Sequence, residues 1–270
     1  MSTQRISLDA LQKVRQYLRT ILVLPEPENR PRLFSMLEGS PAFSAPEPDS
    51  LAGLGDLFRV GTSLEEGVPM PNDQGQWFIS VVDPGVVFMK LPGLQLKPGM
   101  RLVSYLYRMG NVGVGKTIAL PEALSTTAHL ETALTQANGT ENPPQPEGAL
   151  AHVMMAVEGD SSPFSYLIGS LLKREFSEFG AIGQQVSWHK HQLINTIPQQ
   201  LQWQWRTEAV KDLSPKVRLL PDGRVIVEFF TCRVTPSIAL FQHLDQYAAG
   251  QYQSQGVDRA IAIGERKKVS

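Results

Sequence analysis

Gly110-Asn111-Val112-Gly113-Val114-Gly115-Lys116-Thr117 is the one string in this chain whose residue types and spacing match a recognised phosphate chemistry. In such a loop the glycines turn backbone amides toward a phosphate, the lysine reaches the terminal phosphates and the threonine hydroxyl holds magnesium. The arrangement needs a helix that begins at the Gly-Lys step, because the helix N-terminus supplies the free amides and the dipole that hold the anion. Pro121 falls inside that helix, where it would remove a hydrogen bond and clash with the preceding turn at a cost of about 3 kcal/mol. The spacing therefore predicts that Thr117 to Leu120 stays extended and that Gly110-Asn111 makes a hairpin turn. A nucleotide site at Gly110, Gly115, Lys116 and Thr117 stands as the alternative. Its metal would need a further carboxylate, for which Glu158, after the apolar run Val153 to Val157, is the fair candidate; with Asp160 it is better explained as the acidic entry to a helix.

Trp188-His189-Lys190-His191 is the second constellation. If the segment is extended, His189 and His191 share a face and can hold one metal ion, which makes a metal site a further alternative. A hydrolytic centre needs a third ligand, and His243 with Asp245 supplies it only through the fold. Trp203 and Trp205 share one face of a short strand among Gln202, Gln204 and Arg206. Together with Trp188 they offer the apolar area and polar rim that partner surfaces favour, but a sheet face packed under the Ser162–Phe179 helix is the favoured account, because that helix asks for an apolar partner.

No serine sits in a Gly-x-Ser-x-Gly elbow, and Cys232 lies in the apolar run Val225 to Val234, where a buried, inert thiol is expected. No residue set at workable spacing supplies a nucleophile, a base and an orienter together, so no catalytic residue and no cofactor are assigned.

Composition narrows the partners. The 270 residues include 25 Lys and Arg against 26 Asp and Glu, so no charge excess drives binding to nucleic acid or anionic lipid. Hydrophobic residues at 42% can build a core without a metal or disulfide staple. The lone cysteine fits a reducing compartment, the first residues lead into an amphipathic segment, and no apolar run reaches the roughly 18 residues of a membrane span. The expectation is a soluble cytoplasmic protein with a protein partner.

The elements that must position these residues read as an α+β fold with two β-rich subdomains, mainly antiparallel sheets and a few packed helices. Residues 1–24 read as an N-terminal amphipathic helix, with Leu8, Leu11, Val14, Leu18 and Ile21 on one face and Lys13, Arg15 and Arg19 on the other. That basic face, with Arg5, suits a partner or peripheral membrane contact as well as simple solvation. A proline-rich arm follows at 25–50. A β-meander or small barrel with a following helix occupies 51–140, from strands at Trp77–Val82, Val86–Leu91, Met100–Arg108 and Val112–Leu120 and a helix from Pro121 to Ala137.

A linker at 141–149 precedes an α+β domain at 150–265, and 266–270 form a basic tail. The domain is expected to hold a buried strand at His152–Val157, a capped helix at Ser162–Phe179, and strands at Gln185–His191, Gln202–Arg206, Val217–Leu220, Arg224–Cys232 and Val257–Ile263. The functional expectation is a non-catalytic protein-binding or assembly protein acting through an exposed surface.

Overall fold

The computed structural model describes residues 2–25, 28, 75–110, 112–235 and 237–266. The proline-rich arm at 25–50 and the basic tail at 266–270 lie outside the described residues, apart from Pro25, Glu28 and the backbone of Arg266.

The fold is α+β, and every strand pair among the described residues is antiparallel. The larger sheet runs β1 (Ser2–Arg5), β9 (Lys216–Leu219), β10 (Val225–Arg233), β11 (Ala239–Tyr247), β12 (Ser254–Arg266), β8 (Leu201–Trp205), with β7 (His191–Ile194) paired to β10 beyond the end of β9. A smaller sheet is the meander β2 (Gln76–Ile79), β4 (Met100–Met109), β5 (Val112–Pro121), and β3 (Leu94–Leu96) pairs with β6 (Val157–Gly159).

Three described helices pack on these sheets. In α1 (Leu8–Ile21), Ser7 caps the first turn and Leu11, Val14 and Leu18 are buried. In α2 (Thr127–Gln136), Leu130 and Ala133 face the smaller sheet, whose core holds Trp77, Tyr105 and Ile118. In α3 (Pro163–Glu178), Ser162 accepts the Ser165 amide at 3.1 Å, Pro163 takes the first position, and Gly180 adopts φ +81° just beyond the end. The helix is buried on nearly all sides, from Ser165 to Leu172, because it lies between the larger sheet, β5 and α1. Its core joins Leu102 and Ala119 to Leu171 and Phe229, so both sides of the 141–149 segment contribute to it.

Several local expectations give way to tighter turns. Val86–Leu91 is not a strand: Pro84–Met89 is a 3-10 helix, started by Asp83, whose carboxylate accepts the Gly85 amide at 2.7 Å. The helix expected from Pro121 is broken: Pro121 ends β5 opposite Met100, where a missing N–H costs nothing, a 3-10 turn follows at Glu122–Leu124, and α2 starts only after Thr126 supplies a cap. His152–Val157 splits into a 3-10 turn, Val153–Ala156, and the short β6. β3 and β11 lie where no strand was expected, and of residues 1–24, read as one helix, Ser2–Arg5 forms β1 on the larger sheet and only Leu8–Ile21 is helical.

The glycines of the phosphate-loop string have positions in this fold. Gly110 turns the β4–β5 hairpin at φ +56°. Gly113 and Gly115 lie where the chain leaving α3 crosses β5. A Cβ at Gly113 would stand 2.7 Å from Ile182 Cγ1, and one at Gly115 would collide with the Phe179 carbonyl. Arg108 ties the same crossing by donating to the Gly180 carbonyl at 2.7 Å. Lys116 is exposed, while the buried Thr117 hydroxyl meets Ser104 at 2.9 Å.

Gly115→Ala is expected to destabilise the protein by about 1–3 kcal/mol, since backbone must move to admit the methyl group. Lys116→Ala should stay within about 0.5 kcal/mol of wild type. Urea unfolding of the two variants checks this ordering, and the reverse ordering would refute the crossing as the reason for the glycine.

Candidate functional site

The densest polar cluster gathers where α1, α3 and the larger sheet meet, around Trp188. Glu178, at the end of α3, makes this possible. Its carboxylate accepts the backbone N–H groups of Ser187, Trp188 and His189, the last two at 2.5 Å, and folds Trp188–Lys190 into a 3-10 turn. The strand expected at Gln185–His191 is therefore absent, because a carboxylate collecting successive amides imposes a turn rather than a ladder. One consequence is that His189 and His191 do not share a face. His189 is exposed, whereas the His191 ring is buried and bonded to Thr231. Among the described residues no group of three His, Cys, Asp or Glu side chains could hold a metal ion.

Arg15 reaches in from α1. Its Nε donates to Glu175 Oε1 at 2.8 Å, Nη1 donates to the His191 carbonyl, Nη2 donates to the Trp188 carbonyl at 2.8 Å, and its guanidinium lies 4.2 Å over the Trp188 ring. The Trp188 indole N–H donates to the same Glu175 oxygen at 2.8 Å, and Arg19 Nε stands 3.6 Å from it. Burial lowers the Arg15 pKa, and the charge of Glu175 opposes that fall. Two of the arginines expected on a solvated basic face thus turn toward Glu175.

From α3, Arg174 donates to Asp245 and Asp258, each at 2.5 Å. Burial works against its charge, but the two carboxylates outweigh it and its pKa is raised. Asp258 is held well below the usual carboxylate range: burial opposes this, and the bonds to His243 and Arg174 prevail.

Asp258 also anchors a hydrogen-bonded chain. His243 Nδ1 lies 2.8 Å from Asp258, His243 Nε2 lies 2.8 Å from the Thr231 hydroxyl, and that hydroxyl lies 2.8 Å from His191 Nδ1. The direction follows from the ends. An ionised Asp258 accepts from His243 Nδ1, which leaves Nε2 to accept from Thr231 and the Thr231 oxygen to accept from His191 Nδ1. Hydroxyl, imidazole and carboxylate stand in the order of a nucleophilic triad. Thr231, however, is completely buried on β10, so no carbonyl carbon can approach its oxygen. A cleft of about 340 Å³ borders His191, His243, Asp258, Arg174, Arg233 and Phe241.

The sequence-predicted site residues are not brought together. Trp188 is buried in this cluster at 7% exposure. Trp203 and Trp205 lie on β8 and pack on the opposite face of the sheet from α3, against a core of Phe230, Cys232, Leu240 and Ile261. Packing under α3, the favoured account of these tryptophans, does not occur, because β10 presents Phe229 to α3 and Phe230 to the far side. Cys232 is buried, and burial pushes its thiol pKa up. Gly115, Lys116 and Thr117 lie inside β5, paired with Leu106, Tyr105 and Ser104, and no helix begins there. Asp160 caps the approach to α3 by accepting the Ser162 amide at 2.9 Å.

Sequence reasoning missed Arg15, Arg174, Glu175, Thr231 and Asp258. Their common signal was a charged or hydroxyl residue on the apolar face of a helix or within an apolar strand, as with Arg15 between Leu11 and Leu18.

β8 forms one end of the larger sheet. Its pairing with β12 places Trp205 opposite Ala262 and Leu201 opposite Arg266, and no described strand lies on its outer side. No family model matches this chain, and neither a curated protein nor a solved structure is significantly similar to it.

Burial holds the His191 pKa down at about 4, with His243 and Arg233 adding to the fall. The unfolded chain therefore takes up a proton near pH 6.5 that the folded protein refuses, and this part of the stability is complete above that pH and lost as pH falls toward 4. The loss should reach up to about 3 kcal/mol in the wild type and be smaller in His191→Asn. Urea unfolding between pH 7 and 4.5 measures it; identical slopes for the two proteins would contradict the assignment.

Proposed function

We propose that this chain is a non-catalytic binding and assembly protein whose working surface is the outer edge of β8, with Trp203 and Trp205 along it and Arg206 at its end. The observation that carries this reading is that no described strand pairs with the outer edge of β8. Arg206 N–H donates to the Ile261 carbonyl, so in β8 the even-numbered residues spend their backbone groups on β12. Leu201, Trp203 and Trp205 then aim theirs away from the sheet. The strand reads Leu-Gln-Trp-Gln-Trp. It has no lysine, no proline, no inward charge and no register shift, which are the devices that keep exposed edges from pairing.

Such an edge takes an added strand through main-chain hydrogen bonds, with alternate side chains setting the choice of partner. The tryptophans suit that role, since each is half-buried and offers a large rigid surface at little entropic cost. The acid–base cluster supports a binding role in a different way. Its arginines and carboxylates bond to one another and its hydroxyl is sealed, so it offers no free nucleophile. The nucleotide alternative at Gly110–Thr117 and the metal alternative at His189 and His191 are not carried forward, since their residues lie in a paired strand and in different surroundings. No described helix is long and apolar enough to cross a membrane.

Gentle isolation of the tagged chain from its native source should recover a protein in stoichiometric amount, an untagged copy of the chain included. Gln202→Lys with Gln204→Lys, both at exposed positions, should abolish that recovery. Quantitative mass spectrometry reads the result. Wild type that recovers nothing, or a variant that recovers as much as wild type, overturns the proposal.

A further inference from the structure

We propose that the occupant of the β8 edge is a second copy of this chain, docked antiparallel through β8 of each copy about a two-fold axis at Trp203. The proposal rests on the reading of that edge as the working surface and names what covers it.

A two-fold contact needs a surface that is complementary to itself. Reversing a strand against its own copy always matches the backbone when the axis falls on an outward residue, so the side chains decide whether the pair is tolerated. β8 meets that demand around Trp203. In the antiparallel register centred there, Leu201 faces Trp205 of the second copy and Trp203 faces its own counterpart. These three are the residues whose N–H and C=O groups point outward. Every outward donor therefore meets an outward acceptor.

Side chains match as well. Gln202 faces Gln204 of the second copy on the exposed side, and amide meets amide. On the other side the apolar row Leu201, Trp203 and Trp205 faces the same row reversed. Beyond the strand, Arg206 faces Gln200 of the second copy, so no charge meets its like. A strand carrying net charge could still accept a foreign strand of opposite sign, but it would repel itself. The neutrality of Leu201–Trp205 leaves nothing in the strand to repel a copy of itself, and the matched Gln202–Gln204 and Leu201–Trp205 pairs favour that copy. The two larger sheets would then run on as one.

Sedimentation equilibrium of the purified full chain tests this. Wild type should show a reversible monomer–dimer equilibrium. Gln202→Lys with Gln204→Lys sets lysine against lysine twice across the axis and should weaken the dimer at least tenfold. Gln202→Lys with Gln204→Glu sets lysine against glutamate in the same register and should restore it. A wild type that stays monomeric at all concentrations overturns the proposal, as does a dimer indifferent to both variants. If the monomer nonetheless recovers a different protein that the double lysine variant loses, self-pairing fails while the edge reading survives. If nothing is recovered either, both fail.

Discussion

Arg15 of α1 and Arg174 of α3 are both buried, and the placement of two helices against the larger sheet depends on how their charges are met. Taking a guanidinium out of water costs several kcal/mol, and only close, well-aimed partners offset that. Arg15 has a carboxylate, two carbonyls and an indole face; Arg174 has two carboxylates and a carbonyl. Their carboxylate partners all lie on other elements, Glu175 on α3, Asp245 on β11 and Asp258 on β12, so a helix that slid by one turn would strand a charge in the core. Apolar contacts alone tolerate such sliding, because a leucine is indifferent to which leucine it meets. The charges therefore fix one alignment among those the apolar packing allows.

Trp188 joins the two arginines. Its ring lies under Arg15, its N–H goes to Glu175, and Arg174 stands 5.8 Å from its centre. The turn that presents it exists because Glu178, one helical turn after Glu175, gathers three amides. Polarity on one end of α3 thus builds the floor on which α1 rests. The far face of the sheet holds a separate polar group, in which Glu228 meets Lys216 and accepts from Gln242, and no arginine of the described helices enters it. Toward β8 that face is lined by an apolar cluster with Trp203 and Trp205 packed against it, and no described strand lies beyond β8. The protein separates its two tasks by sheet face: alignment on one side, and on the other the side chains that we assign to binding.

Legibility in the sequence followed how local the cause was. The helices α1 and α3 were readable because their apolar spacing and their caps, Ser7 and Ser162, lie within the elements themselves. The strands Val217–Leu220 and Arg224–Cys232 were readable for the same reason, with the turn residues Pro221-Asp222-Gly223 between them. β11 was not, because it is buried on both faces and so lacks the alternation that marks a half-buried strand. His243 and Asp245 sit on it, and with β11 unseen they had no place beside Thr231 or Arg174. Arg15 and Arg19 looked like solvated residues since nothing nearby in sequence announces Glu175, which lies far along the chain. The phosphate-loop string failed in the opposite way. It matched a local pattern whose glycines answer to a distant chain crossing at Phe179.

If the buried charges align the helices, Arg15 and Glu175 must be worth far more together than apart. A double-mutant cycle with Arg15→Met, Glu175→Leu and the pair, followed by urea unfolding, measures this directly. Each single change should cost about 3 kcal/mol or more, because it leaves the other charge buried without its nearest counter-charge, and the double variant should be no worse than either single one. Single changes that each cost under about 0.5 kcal/mol and simply add would mean that the pair is solvated, and the account would be wrong.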